Sequence, residues 1–143
     1  MYLLDTNVVS ELRKARSGKA APAVVAWAGT VPPSQLYISA ITVLELELGV
    51  LQVERRDAVQ GALLRTWMSH RVLPVFSDRV LPVDTAVALR CAQLHVPDPG
   101  AERDTLIAAT ALVHGLTLVT RNVADFLGRG ITLLNLDFGR VRR

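Results

Sequence analysis

Short apolar runs, closed at once by turn-forming residues, alternate along this chain with stretches of helical spacing. That alternation restricts the chain to an α/β layer fold with a mainly parallel sheet. The first run, Met1 to Leu4, shows no period-two alternation and stops abruptly at Asp5-Thr6-Asn7. It reads as a buried strand. Further strands are expected at Leu36–Ile38, Leu116–Thr120 and Ile131–Leu134. Val80–Val83 contains Pro82, which suits an edge better than the middle of a sheet.

Helices are expected between these strands, over Val8–Arg13, after Pro22, over Ala40–Val53 behind the cap Ser39, and over Arg55–Met68. Asp84 caps another that runs to Leu94. Glu102–His114 carries acids in its first turn and is followed by Gly115, where a left-handed residue ends a helix. Asn122 is expected to cap a short helix through Phe126. Arg13 to Lys19 reads as a flexible basic connection, and Gly128-Arg129-Gly130 as a turn. No repeat or linker divides the 143 residues, so one domain is expected over 1–137, with a basic tail at 138–143.

Composition narrows the chemistry. A single cysteine, Cys91, excludes an internal disulfide and a multi-cysteine zinc site, and reads as a core residue. Aromatic residues make up 5% of the chain, too few for a broad base-stacking platform. Sixteen basic against 13 acidic residues give a net charge of +3, which permits a polyanionic partner without demanding one. The longest apolar stretch, Leu106–Val119, is interrupted by His114 and Gly115 and falls short of the ~20 residues a membrane helix needs. No basic head precedes Asp5, so no signal peptide is expected, and the expected location is the cytoplasm.

Folds of this class bind ligands beyond the carboxyl ends of their strands. Asp5 directly follows the first strand, and Asn122 and Asp125 follow the Leu116–Thr120 strand. Asp104 shares a helix face with Ile107, Ala108 and Ala111, a small apolar surface that should pack on the sheet and bring Asp104 to the same edge. Glu45 and Glu47 are not separated by periodicity. Each lies roughly 80° from the Ile41-Leu44-Leu48-Leu51 stripe, on opposite sides. Val43, Leu46 and Val50 form a second apolar stripe, the mark of a buried or interfacial helix. Carboxylates gathered at one edge repel one another, and a hard divalent cation relieves the repulsion. The bland reading makes Asp5 and Asp104 helix caps and Glu45 a solvated side chain. His70, His95 and His114 show no metal-ligand spacing, and His114 suits the negative end of its helix.

Four blocks, in order, resemble the PIN-domain family, in particular its VapC-like branch of toxin–antitoxin ribonucleases. They are Leu3-Leu4-Asp5-Thr6-Asn7-Val8-Val9-Ser10-Glu11, Ser39 to Gly49, Asp104 to Ala111, and Leu118-Val119-Thr120-Arg121-Asn122-Val123-Ala124-Asp125-Phe126. The resemblance implies a compact α/β/α sandwich, a homodimer and an endoribonuclease dependent on Mg²⁺ or Mn²⁺. It further implies RNA as the substrate and a cognate antitoxin protein as the partner. By position, Asp5, Glu45 and Asp104 match the family's acidic triad, with Asp5 and Asp104 as metal ligands and Glu45 orienting the attacking water. Thr6 and Thr120 match hydroxyl positions near the site, and Arg121 borders it. Many members carry a fourth acid where this chain has Asn122, and Asp125, one helical turn later, is expected to restore that charge.

Two other functions fit parts of the pattern. An aspartate-nucleophile phosphatase also places an Asp after its first strand, but requires a second Asp where this chain has Asn7. A non-catalytic PIN-fold module binding RNA or protein would explain the absent fourth acid.

Overall fold

A computed structural model of the chain describes residues 1–136. The basic tail expected at 138–143 lies outside the described residues. Five strands form one parallel sheet: β1 (Tyr2–Leu4), β2 (Leu36–Ser39), β3 (Val80–Leu81), β4 (Thr117–Thr120) and β5 (Leu133–Asn135). Their order is β3-β2-β1-β4-β5, with Leu3 opposite both Tyr37 and Leu118, and Leu118 opposite Leu133. The edge position expected for the Pro-containing strand is the one β3 occupies.

Six helices cover the sheet: α1 (Thr6–Leu12), α2 (Pro22–Thr30), α3 (Ala40–Arg56), α4 (Ala58–Trp67), α5 (Thr85–Leu94) and α6 (Glu102–His114). Successive side chains of the central strand point to opposite faces, and both layers use this. Leu4 packs with Val8, Val24, Ile38, Leu46, Val50 and Val119, whereas Leu3 packs with Ile107, Ala108, Ala111 and Leu118. The result is the expected α/β/α sandwich, and the apolar face of α6 does lie on the sheet.

Three local readings need correction. Arg13–Ser17 is not a loose connection but a 3₁₀ helix closed by Gly18 at φ 72°, with the Ser17 hydroxyl donating to the Lys14 carbonyl. The helix break after α3 falls at Asp57, whose carboxylate accepts the Val59 and Gln60 N–H groups and starts α4. A five-residue π-helix, Met68–Val72, then extends that helix. Of the two apolar stripes on α3, Leu46 and Val50 face the core. Leu44, Leu48 and Leu51 remain 47%, 37% and 50% exposed.

The α3–α4 hairpin is tight. A Cβ on Gly61 would lie 2.5 Å from the Glu54 Cα, so only glycine permits this approach. Arg65 then spans the pair, bonding both oxygens of Glu47 at 2.6 and 2.9 Å and both oxygens of Glu54 at 2.9 and 3.2 Å. Those bonds hold the Glu54 carboxyl below its usual range.

Candidate active site

The carboxyl ends of β2, β1 and β4 lie side by side, and each delivers a polar group to one edge. Asp5 leaves β1 with its N–H on the Val119 carbonyl at 2.9 Å, then caps α1 by accepting the Thr6 N–H at 2.8 Å. Its other oxygen accepts the Thr120 hydroxyl at 2.7 Å and the Asn7 amide at 3.3 Å. The Asn122 N–H in turn donates to the Thr120 hydroxyl at 3.0 Å, so a short relay from the end of β4 fixes the carboxylate. Asp5 is only 4% exposed. Burial pushes its pKa up, the nearby Glu45 charge adds to the rise, and the hydrogen bonds from Thr120 and Thr6 oppose it.

Ser39 ends β2 and starts α3 by accepting the Ile41 N–H, which sets the rotation of the helix. That rotation separates the two glutamates. Glu47 turns away to Arg65, whereas Glu45 turns to the Asp5 edge. The Thr6 hydroxyl lies 2.7 Å from Glu45 Oε1 and 3.1 Å from the Thr42 hydroxyl. Its one proton goes to the carboxylate, and buried Thr42 donates to Thr6. Arg103 approaches the other glutamate oxygen at 3.9 Å.

Asp104 stands in the first turn of α6, partly buried. Its pKa is raised by burial, and then by the charges of Asp5, Glu45 and Asp125. The acids thus sense one another across three separate elements. Asp125 is exposed and lines a cavity next to Asp104. Asn122 is exposed and precedes the Val123–Phe126 3₁₀ turn without the side-chain cap bond expected of it. Arg121 is exposed too, and its charge adds to the Ala21 N–H and Lys14 in holding Glu11 low.

Asn7, Thr42 and Arg103 were not singled out from the sequence. Asn7 is the most telling, because its Oδ1 is buried beside the Asp5 carboxylate with no hydrogen-bond partner. Its spacing, two residues past an acid that closes a buried strand, is the signal that marks it. Oxygen ligands, one of them the orphaned Asn7 Oδ1, around the crowded carboxylates Asp5, Glu45 and Asp104 form a set that suits a hard divalent cation.

Cys91 is buried, as a core residue should be, but it has neighbours that the spacing of the three histidines does not reveal. Cys91, His95 and Glu102 bring ligand atoms within 4.8 Å of one another. They are i, i+4 neighbours on one helix turn plus a glutamate across a loop. The Gly100 N–H donates to His95 Nδ1 at 3.1 Å. With Nδ1 accepting that bond, a proton sits on the buried Nε2, which makes no hydrogen bond and faces Glu102 Oε2 at 3.8 Å, an arrangement that disfavours a metal there. Burial also pushes the Cys91 thiol up, away from the thiolate a metal requires.

A family model described as "PIN domain" matches residues 2–126. The chain belongs to the PIN domain family. This PIN domain is 36% identical over 140 residues to Toxin FitB of Neisseria gonorrhoeae, covering 94% of this chain and 97% of that protein. It is 36% identical over 143 residues to VapC ribonuclease Y4jK of Sinorhizobium fredii, covering 94% and 96%. The crystal structure of FitAcB from Neisseria gonorrhoeae matches it with a TM-score of 0.85 at 36% identity, covering 94% of this chain and 97% of that one. The family inferred from the four sequence blocks is therefore the right one.

Proposed function

We propose that this PIN domain is a divalent-metal-dependent endoribonuclease and the toxin of a toxin–antitoxin pair. One observation carries the reading: a nearly buried aspartate, Asp5, shares its edge with Glu45 and Asp104, the Glu45 charge raises the pKa of Asp5, and the charges of Asp5 and Glu45 raise that of Asp104. Folding places these acids together at an electrostatic cost, and a bound cation offsets it. Asp5 and Asp104 are the proposed ligands, direct or through water, for Mg²⁺ or Mn²⁺. Such an ion supplies an activated water and neutralises charge on the phosphodiester.

The chain's own residues do the rest. The hydrogen bonds from Thr120 and the Thr6 N–H favour the ionised form of Asp5 and so oppose the effect of its burial. Thr6 fixes Glu45 through Oε1, which leaves Oε2 to orient the attacking water. Asn122 brings no charge where many relatives have an acid, and Asp125 restores negative potential at Asp104. The proposed partners are RNA, a cognate antitoxin and a second copy of the chain. Support for a protein interface comes from the exposed Leu44-Leu48-Leu51 row on α3, continued on α4 by Val59 and Leu63, at 72% and 62% exposure.

Cleavage of single-stranded RNA by the purified protein tests the reading. Cleavage in Mn²⁺ or Mg²⁺ that stops with EDTA and with Asp5→Asn is expected. Absence of cleavage in either ion would return the chain to a binding module, and cleavage indifferent to EDTA would remove the metal. A trapped aspartyl-phosphate would favour the phosphatase reading.

A further inference from the structure

Asp104 also lines a cavity of about 390 Å³. Its lining includes Gly100, Asp104, Ala108, Asp125, Phe126 and Arg129. That volume is near the lower bound for small-ligand sites and has room for one nucleoside. We propose that this cavity receives the nucleoside next to the scissile phosphate and that Asp125 and Arg129 select guanine there. The inference rests on the nuclease reading above, because it assigns a subsite to the same edge.

Three features carry it. The cavity begins at Asp104, a proposed metal ligand, so a base seated in it belongs to the nucleotide adjoining the reacting phosphate. Its walls combine an apolar surface, from Ala108 and Phe126, with one carboxylate and one guanidinium. Among the described residues Asp125 and Arg129 form no ion pair with each other or with any other side chain, so both remain available to a ligand.

Arg129 is also held in place. Its Nη1 donates to the Leu94 carbonyl at 2.7 Å, and its Nη2 lies 2.7 Å from where a Gly100 Cβ would be. Glycine at position 100 thus leaves the guanidinium its seat on the cavity wall. Guanine alone among the RNA bases presents two adjacent donors, N1–H and the 2-amino group, that a carboxylate accepts together. It also presents O6 and N7, the acceptor pair that arginine reads. An acid and an arginine in one base-sized cavity match that pattern.

The test uses short single-stranded RNAs that differ only at the nucleotide flanking the cut, carrying G, A, C, U, inosine or 7-deazaguanosine. The expected result is a kcat/KM for G about tenfold or more above the other bases, with inosine and 7-deazaguanosine each losing part of that advantage. Asp125→Asn should erase the G-over-inosine difference, and Gly100→Ala, which displaces Arg129, the G-over-7-deazaguanosine difference. Equal rates for all six RNAs overturn the inference. A loss with Asp125→Asn that is equal on every RNA and preserves the G-over-inosine difference also overturns it and leaves Asp125 its charge at Asp104 alone.

Binding of guanosine, adenosine, cytidine and uridine 5′-monophosphates to the protein in EDTA separates this inference from the nuclease reading. Selective GMP binding that Asp125→Asn removes supports the subsite even if no RNA is cut. Indiscriminate or absent binding contradicts it even if RNA is cut.

Discussion

Glu45 and Glu47 sit two residues apart on α3 and live in opposite electrostatic worlds. Glu47 faces the α3–α4 hairpin, where Arg65 satisfies it and Glu54 together. Glu45 faces the sheet edge, where Arg103 approaches it only to 3.9 Å and its charge raises the pKa of both Asp5 and Asp104. The hairpin shows that this chain pairs its acids where structure alone is at stake. At the edge acid meets acid, and that repulsion is what a bound divalent cation would relieve.

Substitutions sharpen the contrast. Asp104→Asn should lower RNA cleavage by more than about a hundredfold, beyond the usual cost of losing a residue that merely supports a metal ligand. The same change should raise the thermal midpoint of the metal-free protein at neutral pH by a few degrees, because it removes one repelling charge. A variant that loses activity and also melts lower would break the account of that edge. Thr6→Val keeps the shape of the side chain but frees Glu45 Oε1, and should slow cleavage roughly tenfold to a hundredfold with little change in melting.

On the hairpin, Gly61→Ala forces a Cβ against the Glu54 backbone and should destabilise by about 1–3 kcal/mol in urea unfolding. Arg65→Met should lower the midpoint by less and leave cleavage unchanged. The pH dependences should also oppose each other. Asp104, its pKa raised on folding, contributes instability that grows as pH rises from the ordinary aspartate value through the folded one. Glu54, its pKa lowered, contributes stability that is lost as pH falls through its folded value. The stability of Asp104→Asn relative to the parent should therefore grow with pH, and that of Arg65→Met should fall.

Much of this edge was legible in the residues. A buried strand that stops dead at Asp5 fixes where that carboxylate emerges. The small face Ile107-Ala108-Ala111 fixes α6 on the sheet and so fixes Asp104. What periodicity does not give is rotation. Glu45 and Glu47 flank one stripe symmetrically, and the Ser39 cap and the packing of Leu46 and Val50 decide between them. A break was expected between Val53 and Arg55, and it falls at Asp57 because that carboxylate caps α4. Cys91, His95 and Glu102 were missed because their meeting depends on how the loop before α6 folds back. Asn7 carried a signal in its spacing from Asp5, whereas Arg103 became visible only through Glu45.

The central claim is that Asp5, Glu45 and Asp104 form one cation site. Thermal melting of the purified protein with and without millimolar Mn²⁺, at neutral pH and near pH 4, tests it most directly. The ion should raise the midpoint at neutral pH, raise it far less near pH 4 because the raised pKa values of Asp5 and Asp104 favour their protonation in acid, and do neither in Asp104→Asn. Equal stabilisation of the parent and Asp104→Asn, or none in either, would contradict the account.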